Sequence, residues 1–411
     1  MKLLEKIKYI NRIDFGDHTR IDKDRLIVNT QEIETFLKTK IDHLEDVETK
    51  IVRSSDKIRI FRVFDVIEPR MKLTPHGTDY PGVISKVGKV GSGETLILKN
   101  VAVVLIDGKK REWKPVIEHT ESYGDISNYA SLNLICVSIK MGNEIDDQTY
   151  HRSLYIAGLQ LSVFLCYRNK ENNVDVEDVY TDVNARKRQH KVGYFYQLCS
   201  AQYVSSESGP IFLGKTADNF LPIAITPTMG IDGALTRNFF EQGFETYSIQ
   251  NNAIIYSLLK DEEIDFRGIV ISISSMNDQD RTRNSLIAAS FFKNFMDVGA
   301  VVMSKAFGGA SNIDLEKTAN ELSEYNIVCV PIIQVTSVEE KLSDSVIFQT
   351  DVFKHLVCSG WTHEKVTLPR DVPNLFKPET LKLEGDLILE IEFIKGIIDN
   401  LGSGRLKVVE V

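Results

Sequence analysis

The chain has 411 residues, of which 43% are hydrophobic and 26% are charged, and its formal net charge is −9. These values are typical of a globular protein with a large core, and the length favours two domains over one. The negative charge argues against a general nucleic-acid binder, which usually carries a basic surface. No apolar run approaches the ~20 residues of a membrane-spanning helix, so no membrane association is predicted.

The N-terminal residues and the cysteines predict a cytoplasmic protein. The first residues, MKLLEKIKYINRIDFGD, mix charged with apolar positions and include no small-residue cleavage site, unlike a secretory signal. The cysteines are scattered without a CxxC pair, at Cys136, Cys166, Cys199, Cys329 and Cys358. Cys136, Cys166 and Cys329 lie inside apolar runs and are predicted to be reduced thiols in the core.

Residues 1–170 are predicted to form a β-rich domain with a helix at its end. KIRIFRVFDVIEP (57–69) alternates apolar with charged positions, as a half-buried strand does. A GxxGxG pattern at Gly88, Gly91 and Gly93 resembles a phosphate loop, but the strand-like ETLILKNVAVVLID follows it. Because phosphate binding would need a helix N-terminus there, the pattern favours a hairpin turn.

A polar stretch at 171–191, which includes the basic run ARKRQHK, is predicted to be a linker or surface loop. From residue 192 to 411, strand patterns alternate with helix patterns, which indicates an α/β domain with a mainly parallel sheet and helices on both faces. Ligands of such sheets bind at the carboxyl ends of the strands. The loops after residues 200, 227, 275 and 306 are therefore candidate ligand loops.

Two helix ends are predicted within this α/β domain. The helix over 280–299 is expected to end at Gly299, a residue suited to a left-handed cap. The C-terminal stretch 385–411 is expected to be a strand, a helix that ends at Gly402, and an amphipathic strand.

Several stretches along most of the chain resemble one known family in the same order. They are DVIEPR (65–70), PGVISKVGKVGSGETLILKNVAVV (81–104), AGLQLSVFL (157–165), YFYQLCSAQ (194–202), PTMGIDGAL (227–235), YSIQNN (247–252), FRGIVIS (266–272), GAVVMSKAFGGASNIDLEKT (299–318) and ILEIEFIKGIIDNLGSGRL (388–406). The chain resembles the proprotein subunit of component B of glycine, sarcosine and betaine reductase, and the related subunit of D-proline reductase. DVIEPR, IDGA and QNN are the most specific of these motifs.

The resemblance implies a maturation site. In that family the protein cleaves itself between an asparagine and a cysteine, and elimination of the sulfur leaves a pyruvoyl group, an electrophile for amine substrates. Here Asn238-Phe239 falls where the cysteine is expected, and phenylalanine has no β-heteroatom that could attack or depart. The hydroxyl residues nearby, Thr236, Thr246 and Ser248, do not follow the asparagine. We therefore expect Asn238 and Phe239 to mark a relic cleavage position, with no pyruvoyl and no other cofactor.

Polar residues on both sides of this position are candidate pocket residues. Asp232 in IDGA is a catalytic candidate, and Gln250, Asn251 and Asn252 are candidates for substrate binding. Helix capping is the alternative for the asparagines, because asparagine is favoured before a run such as AIIYSLL. Residues 230–252 are expected to lead from a strand end into a helix beginning near Asn251 or Asn252.

Other candidates lie elsewhere in the α/β domain. Cys199 follows a predicted strand and is a candidate reactive thiol. Gly308 and Gly309 join a strand to a helix and could bind an anionic group of a substrate, although the loop lacks the lysine of a P-loop. Glu68 and Arg70 at a strand end could pair with each other or with a partner subunit, and they are expected on the surface. No HxxxH or HxH pair occurs, so no metal site is predicted.

Three functions remain open at this stage. The first is an unprocessed subunit of a reductase complex, whose homologous partner subunit supplies a cysteine or selenocysteine and whose substrate is a small amine or amino-acid-like molecule. The second is a structural or regulatory pseudoenzyme without turnover. The third is a stand-alone α/β enzyme that uses Cys199 or the loop at 306–314.

Overall fold

A computed structural model of the chain describes most of its residues. The described ranges are 1–74, 79–84, 87–109, 115–119, 127–168, 174–182, 190–198, 212–215, 220–237, 244–305, 310–335, 352–368, 374–377, 386–397, 400–402 and 406–410. No helix within these ranges has the length and apolar character needed to cross a membrane.

Short strands dominate the N-terminal half. They are β1 (Lys2–Tyr9), β2 (Arg12–Phe15), β3 (Arg20–Asp22), β4 (Arg25–Val28), β5 (Leu44–Val52), β6 (Ile58–Phe61), β7 (Val63–Ile67), β8 (Arg70–Lys72), β9 (Gly93–Lys99), β10 (Val101–Ile106), β11 (Val116–His119), β12 (Asn133–Met141) and β13 (Val176–Thr181). Helix α1 (Thr30–Lys38) follows β4, and the long helix α2 (Asp147–Tyr167) follows β12.

Strands and helices alternate in the C-terminal half. The strands are β14 (His190–Leu198), β15 (Ile223–Ile225), β16 (Ile264–Ile273), β17 (Ala300–Lys305), β18 (Val328–Val335), β19 (His355–Trp361), β20 (Lys365–Leu368), β21 (Asn374–Phe376), β22 (Leu387–Glu390) and β23 (Lys407–Glu410). The helices are α3 (Pro227–Asp232), α4 (Thr246–Gln250), α5 (Ala253–Lys260), α6 (Asp278–Ser290) and α7 (Ala310–Ser323).

Several small sheets make up the β-rich part. Their strand orders are β13-β1-β9-β8, β5-β12-β10-β7, β11-β6-β21 and β2-β4-β3. Helix α2 packs on the sheet that contains β7 and β10, where Gly158 allows close approach. A Cβ added there would lie 2.7 Å from Leu105 Cδ1 and 2.8 Å from Ile67 Cδ1.

The three cysteines that were predicted to lie in the core, Cys136, Cys166 and Cys329, are buried and free.

The alternating charges of residues 57–69 do not mark a half-buried strand, and this prediction is wrong. Every residue of β6 and β7 is buried, including Arg59 and Asp65. The charges are tolerated because each has a partner: Arg59 Nε lies 2.6 Å from Glu118 of β11, and Asp65 accepts hydrogen bonds from Thr246. Alternation of residue types therefore does not reveal which face is solvated here.

The stretch expected to be a linker contributes to a sheet. Residues 176–181 form β13, which pairs antiparallel with β1 at the edge of its sheet, from Lys2↔Thr181 to Ile7↔Val176. Most of its side chains are exposed, with Asp178 half-buried and Tyr180 buried, and this polar, exposed character explains why the sequence pattern predicted a loop instead of an edge strand.

A seven-stranded sheet, ordered β15-β16-β14-β17-β18-β19-β23, confirms the predicted α/β class. The five inner strands run parallel, and the edge strands β15 and β23 run antiparallel. Successive residues of β14 point to opposite faces. Tyr194 and Tyr196 pack with α3 and α5, whereas Phe195 packs with α6 and α7, so helices cover both faces.

The helix over 280–299 ends before Gly299. Helix α6 continues as a π-helical turn over Phe291–Met296, and Asp297 takes the left-handed conformation with φ 51°. Gly299 is not among the residues with positive φ. The prediction of a glycine cap was wrong because the wider turn shifts the end of the helix to an aspartate, one of the few residues that tolerate this conformation.

The C-terminal stretch does not contain the expected helix in its described part. Ile391–Phe393 forms one 3₁₀ turn, and Ile394 then bridges to Val116 of β11. Lys395 N–H donates to the Val116 carbonyl at 2.7 Å. These backbone bonds to the β-rich part replace helical ones. Strand β21 likewise pairs with β6, so the C-terminal residues join the β-rich part to the parallel sheet.

Candidate functional site

Three short helices position the residues on either side of segment 238–243. Strand β15 leads into α3, which begins at the N-cap Thr226 and ends with Asp232. On the other side, α4 ends with Gln250, and α5 begins after its N-cap Asn252. The helix start predicted near Asn252 is therefore found in the structure. Asp232 and Gln250 both lie in the interior between this region and the β-rich part.

The Asp232 carboxylate is bound by three donors from the β-rich part. Lys72 Nζ of β8 lies 2.6 Å from Oδ2, and the Thr95 hydroxyl of β9 donates to Oδ1 at 2.5 Å. The third donor is the Gly91 N–H, 2.6 Å from Oδ2. Gly91 needs to be glycine, because its φ is +76° and a Cβ would lie 2.8 Å from the Met229 nitrogen. The glycine-rich turn thus binds a carboxylate of the same chain.

Glu68 and Arg70 form a second buried pair next to the first. Arg70 Nη2 lies 2.6 Å from Glu68 Oε1, and Lys99 Nζ lies 2.7 Å from Oε2. Arg70 also donates to the backbone carbonyls of Ile231 and Gln250. The expectation that Glu68 and Arg70 lie on the surface is wrong, since both side chains are fully buried. Their pairing compensates the free-energy cost of burying each charge.

The QNN motif joins the same contacts. The Gln250 side chain pairs with the backbone of Glu68, accepting from its N–H at 3.0 Å and donating to its carbonyl at 3.3 Å, and also donates to the Tyr80 hydroxyl. Asn251 accepts from Lys99 at 2.5 Å. Asn252 caps α5 by accepting from the Ile255 N–H, and its amide donates to the Tyr194 hydroxyl. Capping and contact with the buried charges therefore occur together.

Asp65 and Thr246 connect the described residues on either side of segment 238–243. Its Oδ1 accepts from the Thr246 N–H at 2.8 Å and its Oδ2 from the Thr246 hydroxyl at 2.6 Å. The Thr246 hydroxyl oxygen in turn accepts from the Arg237 N–H at 2.8 Å. The Arg237 guanidinium lies 4.0 Å from the centre of the Phe64 ring. Residues 237 and 246 are thus brought within hydrogen-bond distance across the segment.

We call Glu68, Arg70, Lys72, Lys99 and Asp232 the ion network. Burial alone would raise the pKa of Glu68, but the Lys99 and Arg70 cations hold that pKa below its usual value. Burial lowers the pKa of Lys72 despite the attraction of Asp232. Outside the network, burial raises the pKa of Asp65 to about 7, against the opposing charge of Arg237. The neighbouring cations therefore favour an ionised Glu68 in the interior, while Asp65 can titrate near neutrality.

Several predicted site residues lie outside the described residues. Asn238, Phe239, Cys199, Gly308 and Gly309 are in this position, so their roles stay predictions. The sequence analysis missed Lys72, Thr95, Lys99, Tyr80 and the contact of Gly91 with Asp232. Lys72 and Lys99 lie at or next to strand ends that carry charges, and such a pattern predicts side chains exposed to solvent. The signal that could have identified them is their position next to the family motifs DVIEPR and LILKN.

The described residues include a group of possible metal ligands. The ligand atoms of His363, Glu390 and Glu392 lie within 4.8 Å of one another. His363 Nδ1 lies 3.1 Å from Glu390 Oε2, and both side chains are about one-third exposed. The antiparallel pairing of β20 with β22 accounts for this closeness, and exposed acidic groups commonly cluster without a metal. The absence of a metal site stays a prediction.

Comparison with known proteins identifies the family. The family model for glycine/sarcosine/betaine reductase component B subunits matches residues 1–373. The chain belongs to this family. The region of the match includes the ion network, Asp65, and segment 238–243.

Similar curated proteins carry related descriptions. The glycine reductase complex component B subunits alpha and beta of Acetoanaerobium sticklandii are 25% identical over 97% of both chains. The protein of the same description from Peptoclostridium acidaminophilum is 28% identical, again over 97% of both chains. The sarcosine reductase complex component B subunit alpha of Peptoclostridium acidaminophilum is 25% identical over 75% of this chain and 73% of its own.

Proposed function

We propose that this chain is an unprocessed, pyruvoyl-less component B subunit that shapes a substrate pocket and docks a thiol- or selenol-bearing partner subunit. The substrate is a small amine or amino-acid-like molecule of the class that includes glycine, sarcosine, betaine and D-proline. The complex acts in the cytoplasm, where thiols stay reduced. Reductive cleavage in this complex does not use an electrophile supplied by this chain.

The residues at the cleavage position do not fit a pyruvoyl group. A serine, threonine or cysteine would be needed to accept the acyl group and then lose its heteroatom, and Phe239 follows Asn238 instead. Of the described threonines on either side of this position, Thr236 is fully buried, and the Thr246 hydroxyl is held by Asp65 and Arg237. No step of the proposed function is therefore routed through a pyruvoyl group.

The observation that carries the proposal is that the ion network holds both flanks of segment 238–243. Arg70 donates to the carbonyls of Ile231 and Gln250, while Lys72 binds Asp232 at the end of α3. A buried ion pair contributes little net stability compared with apolar residues of similar size. Its presence beside a segment that lacks the maturation residue favours a retained positioning role, which is what a substrate pocket requires.

Co-expression with a candidate partner subunit tests the proposal. The double variant Glu68→Gln/Arg70→Met dissolves the ion pair beside the segment, and Arg59→Met/Glu118→Gln dissolves an equally buried pair in β6 and β11 as a matched control. We expect the control to support reduction of one of the four substrates by a dithiol and the network variant to lose at least roughly tenfold in kcat/KM.

The outcomes separate the three functions. A wild-type chain that co-purifies with the thiol- or selenol-bearing subunit and supports turnover agrees with the proposal. Co-purification without turnover of any of the four substrates would favour a structural or regulatory role. Turnover by the chain without a partner would favour a stand-alone enzyme.

A further inference from the structure

The ion network reaches solvent at one residue, Lys99. The side chains of its other four residues are fully buried, whereas 20% of the Lys99 side chain is exposed. Tyr9 is the register partner of Lys99 in the neighbouring strand β1, and 37% of Tyr9 is exposed. Register partners in adjacent strands lie on the same face of a sheet. The two partly exposed side chains are therefore neighbours at the surface of the protein.

One hydrogen of the Lys99 ammonium group has no partner among the described residues. An ammonium group has three hydrogens to donate. Lys99 Nζ lies 2.7 Å from Glu68 Oε2 and 2.5 Å from Asn251 Oδ1, which accounts for two of them. Asn251 is itself held in place, because its amide donates to Glu68 Oε2 at 3.3 Å and to the Tyr247 carbonyl at 3.0 Å. Glu68 and Asn251 thus orient the ammonium group and leave its third hydrogen for water or a ligand.

The charges of the ion network do not balance. Its three cations face two carboxylates, which leaves one formal positive charge in excess. Glu5 is a further carboxyl group on the same face of this sheet, and it accepts from the Tyr256 hydroxyl at 2.8 Å. Burial raises the pKa of Glu5 against the attraction of Arg70 and Lys99, so it disfavours the charged form that would neutralise the excess. An anion bound at Lys99 would neutralise it at the cation that solvent reaches.

We propose that Lys99 binds the carboxylate of the substrate. This inference rests on the function proposed above and names the part of the substrate that the chain recognises. Glycine, sarcosine, betaine and D-proline differ at the nitrogen atom, but each carries a carboxylate one carbon away from it. A single ammonium group that forms a charge-assisted hydrogen bond with this carboxylate therefore suits all four substrates.

Calorimetric titration of the full chain tests recognition of the carboxylate. Each of the four amino acids is compared with the same amine without its carboxylate, namely methylamine, dimethylamine, tetramethylammonium and pyrrolidine. We expect the wild-type chain to bind at least one amino acid, and to bind it at least roughly tenfold more tightly than the matched amine, because the amine cannot pair with an ammonium group.

Variants show whether Lys99 is responsible. Lys99→Gln removes the charge but keeps an amide that can donate to Glu68, and we expect it to lose at least roughly tenfold in affinity for the amino acid but not for the matched amine. Lys99→Arg keeps the charge and should retain most of the preference. Lys6→Met is the matched control, since Lys6 is a partly exposed lysine on the opposite face of the same sheet, 3.2 Å from Glu94, and its loss should leave both affinities unchanged.

The results distinguish failure of this inference from failure of the proposed function. A wild-type chain that binds an amino acid no more tightly than its matched amine overturns the inference, and so does a folded Lys99→Gln protein with the wild-type preference. In both cases the proposed substrate pocket stands. A wild-type chain that binds none of the four amino acids would contradict the pocket and, with it, the inference.

A purely structural role of Lys99 gives a different result. If Lys99 only compensates the charge of Glu68, Lys99→Gln lowers the free energy of unfolding and leaves the ratio of the two affinities unchanged. The comparison in the wild-type chain requires no variant, so it tests recognition of the carboxylate even if Lys99→Gln fails to fold.

Discussion

Individual buried charges define the region around segment 238–243. Five charged residues there are fully buried: Asp65, Glu68, Arg70, Lys72 and Asp232. Each of them has a partner of opposite charge or accepts a hydrogen bond. Removing one partner of such a pair leaves an uncompensated charge, whereas removing both costs much less. The following two predictions use this asymmetry and the titration of Asp65.

Lys72→Met should destabilise the protein by about 3–5 kcal/mol, because it leaves the Asp232 carboxylate without its ammonium partner. The double variant Lys72→Met/Asp232→Asn should recover much of that loss. Urea unfolding gives the free energy of unfolding of each variant. Lys38→Met is the control, because it removes an exposed ion pair with Glu34 and should leave the free energy of unfolding almost unchanged. A double variant less stable than Lys72→Met would contradict the pairing.

Asp65→Asn should remove a pH dependence of stability. Burial raises the pKa of Asp65 from 3.8 to about 7, so the folded protein binds a proton that the unfolded chain releases within this window. Stability therefore falls as the pH rises from about 4 to about 7, and the neutral asparagine avoids this loss. Its amide can still accept from the Thr246 N–H and donate to the hydroxyl.

Thermal unfolding of Asp65→Asn and wild type at pH 5 and pH 8 gives the comparison. The variant should gain stability relative to the wild type at pH 8. A variant that loses more stability at pH 8 than at pH 5 would show that Asp65 is ionised in the fold, held by the N–H and the hydroxyl of Thr246.

At the scale of elements, the sequence patterns predicted the parallel sheet well and the charged strands poorly. The alternation of β14, β16, β17 and β18 with helices was sufficient because each strand is an apolar run buried on both faces. The charged positions of β6 and β7 predicted a solvated face, but both strands are buried. The partners of the charged residues lie far away in sequence: 59 positions for Arg59 and 181 positions for Asp65. Pairing over such distances is not visible in a local pattern.

The candidate site was predictable only in part for the same reason. IDGA and QNN drew attention to Asp232 and Gln250, but the residues that bind them lie in β8, β9 and the turn at Gly91. The three-dimensional arrangement, and not the sequence of either segment, brings Lys72 to Asp232. Helix ends were similarly misplaced: a π-helical turn moved the cap from Gly299 to Asp297.

Gly299→Ala should be tolerated or stabilise the protein by about 0.4–1 kcal/mol. Its φ is not positive and nothing lies within 4 Å of an added Cβ, so alanine only reduces the freedom of the unfolded chain. Asp297→Val should instead destabilise by about 1 kcal/mol or more, because a β-branched residue is strained in the left-handed conformation. Urea unfolding distinguishes them, and a larger loss for Gly299→Ala would restore Gly299 as the cap.

At the scale of the whole molecule, the β-rich part and the parallel sheet meet around segment 238–243. The C-terminal residues strengthen this junction, since Lys395 lies 2.8 Å from Glu245 at the start of α4 and β21 joins the sheet of β6. Membership of the reductase family and the ion network are consistent with a pocket at this junction. The proposed absence of a pyruvoyl group rests on Phe239, which follows Asn238 where the family resemblance implies a cysteine.

The intact mass of the purified protein tests this central difference most directly. We expect the wild-type protein to be one polypeptide of 46.5 kDa. The same mass is expected in native buffer and after denaturation. Phe239→Cys is the matched variant, because it restores the sulfur and leaves the rest of the chain unchanged. Two fragments of the wild-type chain that meet near residue 238, the second with a blocked N-terminus, would contradict the account.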